Sequence, residues 1–144
     1  MGNYARYKVL VVDDEASTRA LLRAALEELG LEVTEAVDGA DAMCQSIETQ
    51  FDLTTMDIVM PNVDGLDAIR ALRTVDPECR IIVVTSRRDA ETVAAIRALN
   101  VPHLVFKPIA LAALYAAVDG ELAPLGEAAS APDATSLPNT PEEN

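Results

Sequence analysis

The chain contains no tryptophan, and aromatic residues make up only 3% of its 144 positions. Its core must therefore be aliphatic, built from Val, Ile, Leu and Ala, and a chain that is half apolar has enough of them. Basic residues are the second shortage: 11 Lys and Arg stand against 24 Asp and Glu, a formal net charge of −13, and none follows Lys107. That balance argues against phosphate-backbone binding and predicts no nucleic-acid partner. It suits metal cations and basic partner surfaces, while ordinary solubility accounts for most of it. Cys44 and Cys79 lie 35 positions apart with a single His in the chain, so neither a zinc spacing nor a redox pair is present, and both are expected to be buried reduced thiols. No apolar run approaches the roughly 18 residues of a membrane span, and Met1 to Lys8 lacks a signal-peptide core. The expected setting is the reducing cytoplasm, without membrane association.

What is there is a regular alternation. Short apolar runs alternate with helical patterns five times, the signature of an α/β fold in which a parallel sheet is wrapped by helices. Strands are expected at Lys8 to Val12, Leu31 to Ala36, Leu53 to Met56, Ile81 to Val84 and His103 to Phe106, the second alternating as an edge strand does. Between them the predicted inward stripes are Leu22, Leu26 and Leu29, ending at Gly30; Met43 and Ile47; Leu66, Ile69 and Leu72, capped by Asp64; and Val93, Ile96 and Leu99. A final helix lines up Leu111, Leu114, Tyr115, Val118 and Leu122. From Ala123 the chain turns to Pro, Ala, Ser, Thr and Glu, which cannot supply a core. The expectation is one folded domain over 1–122 and a disordered, acidic, Pro-rich tail over 123–144, with no fused output module.

The polar residues fall in a pattern. Asp13 and Asp14, Asp57, Thr85 and Lys107 each follow an apolar strand immediately, and in a parallel sheet those positions share one edge. Ligands bind outside the carboxyl ends of such strands where the strand order reverses. Three carboxylates gathered there repel one another, so a cation is the economical remedy, and so few hard oxygen ligands suit Mg²⁺ better than Ca²⁺. Phosphoryl transfer is chiefly positioning and electrostatic stabilisation, which gives the neighbours roles: Lys107 holding one phosphoryl oxygen, Thr85 another, and Asp57 serving as nucleophile. Each residue alone has a bland reading as a turn, strand end or exposed cation. Four coincidences at one edge favour the joint reading.

The segments Val11-Val12-Asp13-Asp14-Glu15, Met56-Asp57-Ile58-Val59-Met60-Pro61-Asn62-Val63-Asp64-Gly65, Val84-Thr85-Ser86 and Phe106-Lys107-Pro108 resemble the response-regulator receiver domains of bacterial two-component signalling. So do the spacings of 43 residues from Asp14 to Asp57, 28 on to Thr85 and 22 on to Lys107. The resemblance spans about Lys8 to Leu122. It implies a flavodoxin-like, doubly wound five-stranded sheet of order 2-1-3-4-5, Asp57 as phosphoacceptor, and Mg²⁺ held by Asp14, the Asp57 carboxylate and the Val59 backbone carbonyl, with Asp13 acting mainly through water. Thr85 and Lys107 would bind the phosphoryl oxygens, and the bond before Pro108 would be cis. The implied partners are a histidine kinase or phosphotransfer protein upstream, and downstream a protein docking on the face of the fourth helix, fifth strand and fifth helix. One position departs: the aromatic or His switch residue usual three places before the lysine is Leu104 here, flanked by His103 and Phe106.

The sequence therefore predicts a single-domain response regulator, a phosphoacceptor that assists its own phosphorylation and dephosphorylation rather than an enzyme. An aspartyl-phosphate hydrolase of the dehalogenase type ranks low, because that family has a second Asp two residues after the nucleophile and position 59 is Val. A phosphate-insensitive binding module on the same scaffold is the other alternative, motivated by Leu104.

Overall fold

The computed structural model describes residues 4–61 and 63–130, with side chains to residue 125. Five parallel strands form one sheet in the order β2-β1-β3-β4-β5. They are β1 (Lys8–Val12), β2 (Glu32–Ala36), β3 (Leu53–Met56), β4 (Ile81–Thr85) and β5 (His103–Phe106), alternating with α1 (Ala16–Glu28), α2 (Gly39–Glu48), α3 (Gly65–Val75), α4 (Ala90–Ala98) and α5 (Leu111–Ser130). The expected fold class, strand order and edge position of β2 are all found.

Helices cover both faces of the sheet, which is why β1, β3 and β4 are buried almost without alternation, the two threonines of β3 included. On one face Val9, Val11, Leu53, Ile82 and Val105 meet Leu22 and Leu26 of α1 and Leu114, Val118 and Leu122 of α5. On the other, Leu10, Val12, Met56, Ile81 and Val83 meet Ala42 of α2, Ile69 and Leu72 of α3 and Ile96 of α4. Asp38, Asp64 and Asp89 cap α2, α3 and α4, each accepting a hydrogen bond from a backbone N–H three residues on. Gly30, just past α1, takes φ 92°, the left-handed turn expected of it.

Several expectations are corrected. Ile47 is 69% exposed rather than inward: α2 buries Gly39 and Ala42 and half-buries Met43, and its last turn overhangs an open groove lined by Phe51, Leu72 and Val75. Cys44 is exposed, since it follows Met43 by one residue and so turns away from the core, and Cys79 is only half-buried, burial pushing its thiol pKa up. Leu111, at the first turn of α5, is 45% exposed. The expectation of disorder from Ala123 fails over 123–130, because α5 continues to Ser130 through Pro124, and Leu125 packs against the α1/α5 core. The remainder of the expected tail, 131–144, lies outside the described residues. Among the described residues no helix is long and apolar enough to cross a membrane.

Candidate functional site

The site lies at the carboxyl edge of the sheet, where the order reverses between β1 and β3. Asp13 leaves β1 with its N–H donating to the Ala36 carbonyl, and Asp57 leaves β3 with its N–H donating to the Val12 carbonyl. Both are almost fully buried, at 1% and 4% exposure, whereas Asp14 is exposed. One carboxylate oxygen from each of the three lies within 4.8 Å of the others.

Lys107 closes the site from β5. Its N–H donates to the Thr85 carbonyl at 2.9 Å, fixing where its side chain starts. Its ammonium reaches Asp13 Oδ2 at 2.9 Å, Asp57 Oδ2 at 3.1 Å and Glu15 Oε1 at 3.5 Å. Burial would lower the Lys107 pKa, yet the hydrogen bonds to Asp13 and Asp57 outweigh it and hold the pKa above its ordinary value. Asp57 is pushed up, chiefly by burial and further by the Asp13 charge, against the pull of Lys107 and the Val59 N–H. One ammonium shared by two buried carboxylates leaves the site short of positive charge.

That shortfall is what a divalent cation would supply. The donors are few, hard and carboxylate-based, and one of them, Asp14, is open to water, so the residues present fit Mg²⁺. The loop after β3 is shaped by backbone contacts. The Val59 N–H donates to Asp57 Oδ1 at 3.2 Å, and the Gly65 N–H donates to the Ile58 carbonyl at 3.0 Å. A Cβ on Gly65 would lie 2.2 Å from the Asp57 carbonyl oxygen, so only glycine allows α3 to start this close to the site.

Thr85, fully buried at the end of β4, accepts at Oγ1 from the Arg87 N–H at 3.2 Å. The bond from Lys107 to Pro108 is cis. Leu104 stands apart from the carboxylates, opposite Val83 in the sheet and packed on the α2–α4 side. Asp13, Asp14, Asp57 and Lys107 are thus brought into direct proximity, with Thr85 joined to them through the backbone of Lys107. Sequence reasoning gave no role to two neighbours: Glu15, beside Lys107, and Arg19, whose guanidinium donates to the Asp13 carbonyl at 2.7 Å. Arg19 falls at an ordinary helical position with no motif to mark it. Also missed is the buried Glu121, which accepts from Arg80 and pairs with His103 Nδ1 at 2.7 Å.

A family model for the response regulator receiver domain matches residues 9–119. The chain belongs to that family. It is 37% identical to the transcriptional regulatory protein PrrA of Mycobacterium leprae over 129 residues, 89% of this chain and 55% of that protein. It therefore spans about half the length of that relative. It is likewise 37% identical to the chemotaxis protein CheY of Thermotoga maritima, over 70% of this chain and 85% of that one. Among solved structures, the Vibrio cholerae chemotaxis protein CheY4 superposes with a TM-score of 0.77 at 28% identity, covering 82% of this chain and 100% of that one. Receiver domains of two-component response regulators share an aspartate phosphoacceptor role, typically with Mg²⁺, and this receiver has an acidic cluster suited to such an ion.

Proposed function

We propose that this receiver accepts a phosphoryl group on Asp57 from a phosphohistidine donor, in a Mg²⁺-dependent step, and signals by protein contact. The observation that carries the proposal is the convergence of Asp13, Asp14, Asp57 and Lys107 at one sheet edge, with a single ammonium bridging two buried carboxylates. The role of Asp57 is supported by its central position: it follows β3, between β1 and β4, and its carboxylate is oriented by Val59 N–H and Lys107.

In the transfer, an Asp57 carboxylate oxygen bonds to phosphorus as the P–N bond breaks, and the leaving imidazole takes up a proton from solvent. Lys107 is placed to accompany the charge moving onto the phosphoryl oxygens, and the Thr85 hydroxyl can donate to another of them. Asp14, the Asp57 carboxylate and the Val59 carbonyl would hold the Mg²⁺, with Asp13 acting through water. When bound, the ion supplies the positive charge that this carboxylate cluster lacks. Val59, 49% exposed and apolar, offers no side-chain group to orient an attacking water, which supports a slowly hydrolysed acyl phosphate.

We place the upstream partner as a histidine kinase or phosphotransfer protein, and the output surface on α4, β5 and α5. A cytoplasmic, diffusible, non-enzymatic role fits this reading. Leu104, an aliphatic residue half-buried against the core, favours phosphate-insensitive binding as a second reading. Incubation with Mg²⁺ and acetyl phosphate separates the two. Intact mass should rise by one phosphoryl group in the wild type and stay unchanged in Asp57→Asn; an unmodified wild-type mass overturns the first reading.

A further inference from the structure

In a strand, residues two apart share a side of the sheet, so Leu104 and Phe106 both face α4. They differ in what they touch. Both are half-buried, but Leu104 is opposite Val83 and packed against the apolar cluster on that side, whereas Phe106 is opposite Thr85, at the edge where the site lies. The guanidinium carbon of Arg88, an exposed residue, lies 4.5 Å from the centroid of the Phe106 ring, within cation–π distance. Arg88 belongs to the short β4–α4 connection, and the preceding residue, Arg87, donates its N–H to Thr85 Oγ1. The Thr85 hydroxyl thus anchors the loop that carries the cation clamped over Phe106.

We propose that Phe106 and Arg88 form the signalling element of this receiver, replacing an aromatic at position 104. The inference rests on phosphorylation of Asp57 as proposed above. When the Thr85 hydroxyl turns to donate to a phosphoryl oxygen, the acceptor held by the Arg87 N–H moves with it. The loop shifts, Arg88 leaves the ring, and both groups become available at the junction of α4 and β5. The clamp is closed in the unphosphorylated state and opposes the change, so its loss favours the activated arrangement.

The chain has only two phenylalanines, Phe51 and Phe106, and no tryptophan, so ring signals are readily assigned by NMR. The test compares the full chain before and after Mg²⁺ and acetyl phosphate, with uptake checked by intact mass. In the free wild type the Arg88 δ-methylene protons should be shifted upfield by the ring, and phosphorylation should return them to ordinary values while the Phe51 signals stay put. In Phe106→Leu the Arg88 signals should be ordinary in both states. Arg88→Ala should bind beryllium fluoride with Mg²⁺ roughly 2- to 5-fold more tightly than wild type, the worth of an exposed cation–π contact. Added mass with Arg88 still shifted upfield, or unchanged or weaker binding in Arg88→Ala, overturns the relay alone. No added mass overturns the phosphoacceptor reading together with it.

Discussion

The ammonium of Lys107 lies 3.1 Å from Asp57 Oδ2, and it is simultaneously bound to Asp13 at 2.9 Å. Lys107 is thus the counter-ion of a carboxylate pair that the interior would otherwise leave uncompensated. Lys107→Met should destabilise the fold by about 2 kcal/mol at pH 7, less than the ~3–5 kcal/mol of a fully buried pair because Asp14 keeps the site open to water. Urea unfolding measures it, and an unchanged midpoint would contradict the role.

Removing a carboxylate should act in the opposite direction. The folded-state pKa of Asp57 is raised from 3.8, mainly by burial, so its ionisation opposes folding. Its favourable contribution is complete below the unfolded value and is lost as pH rises through the folded one. Asp57→Asn should therefore match wild type in stability near pH 3 and exceed it progressively as pH rises to 7, in the presence of a chelator. Mg²⁺ should raise the Tm of wild type and barely that of the variant. Equal stabilities at pH 7 without metal would count against a strained acidic cluster.

Gly65 tests the backbone approach that shapes the loop after Asp57. The contact a Cβ would make is with the Asp57 carbonyl oxygen and the Ile58 Cα, neither of which can rotate away. Gly65→Ala should cost roughly 1–3 kcal/mol, as overpacking does, and reduce phosphoryl uptake. Wild-type values for both would show that the loop is looser than its contacts indicate.

At the far end of the molecule, the buried Tyr4 hydroxyl donates to Asp119, tying the N-terminal segment to α5. Burial, followed by that bond and the Asp119 charge, raises the Tyr4 pKa from 10.0 to about 12. A raised folded pKa means a contribution fully present below pH 10 and lost by about pH 12. Wild type should exceed Tyr4→Phe in stability by about 1 kcal/mol at pH 8. That gap should close between pH 10 and 12, and a constant gap would contradict the linkage.

The parts of this molecule that were legible in sequence are those with a period or an abrupt end. Asp13, Asp57, Thr85 and Lys107 stand out because each marks the carboxyl end of a strand, and a parallel sheet brings those ends to one edge. Ile47 was misplaced because helical spacing gives a stripe's direction but not where the sheet beneath it stops, and Cys44 because it was assigned by residue type rather than by its position on α2. The extension of α5 was hidden by composition: Pro124 reads as a breaker, while the packing of Leu125 that keeps the helix on the core is a tertiary contact. Glu121, Arg80 and His103 come from α5, the connection before β4 and β5, and the Arg88–Phe106 contact from the β4–α4 loop and β5, so neither left a local pattern to find.

The central claim is the chemistry of one carboxylate, and its location is measurable. After reaction with Mg²⁺ and acetyl phosphate, borohydride reduces an acyl phosphate to an alcohol, converting the modified aspartate to homoserine in a form stable to digestion. Peptide sequencing by mass spectrometry should find that conversion at position 57 and leave Asp13 and Asp14 intact. Conversion at position 13 or 14, or at none of the three, would contradict the account.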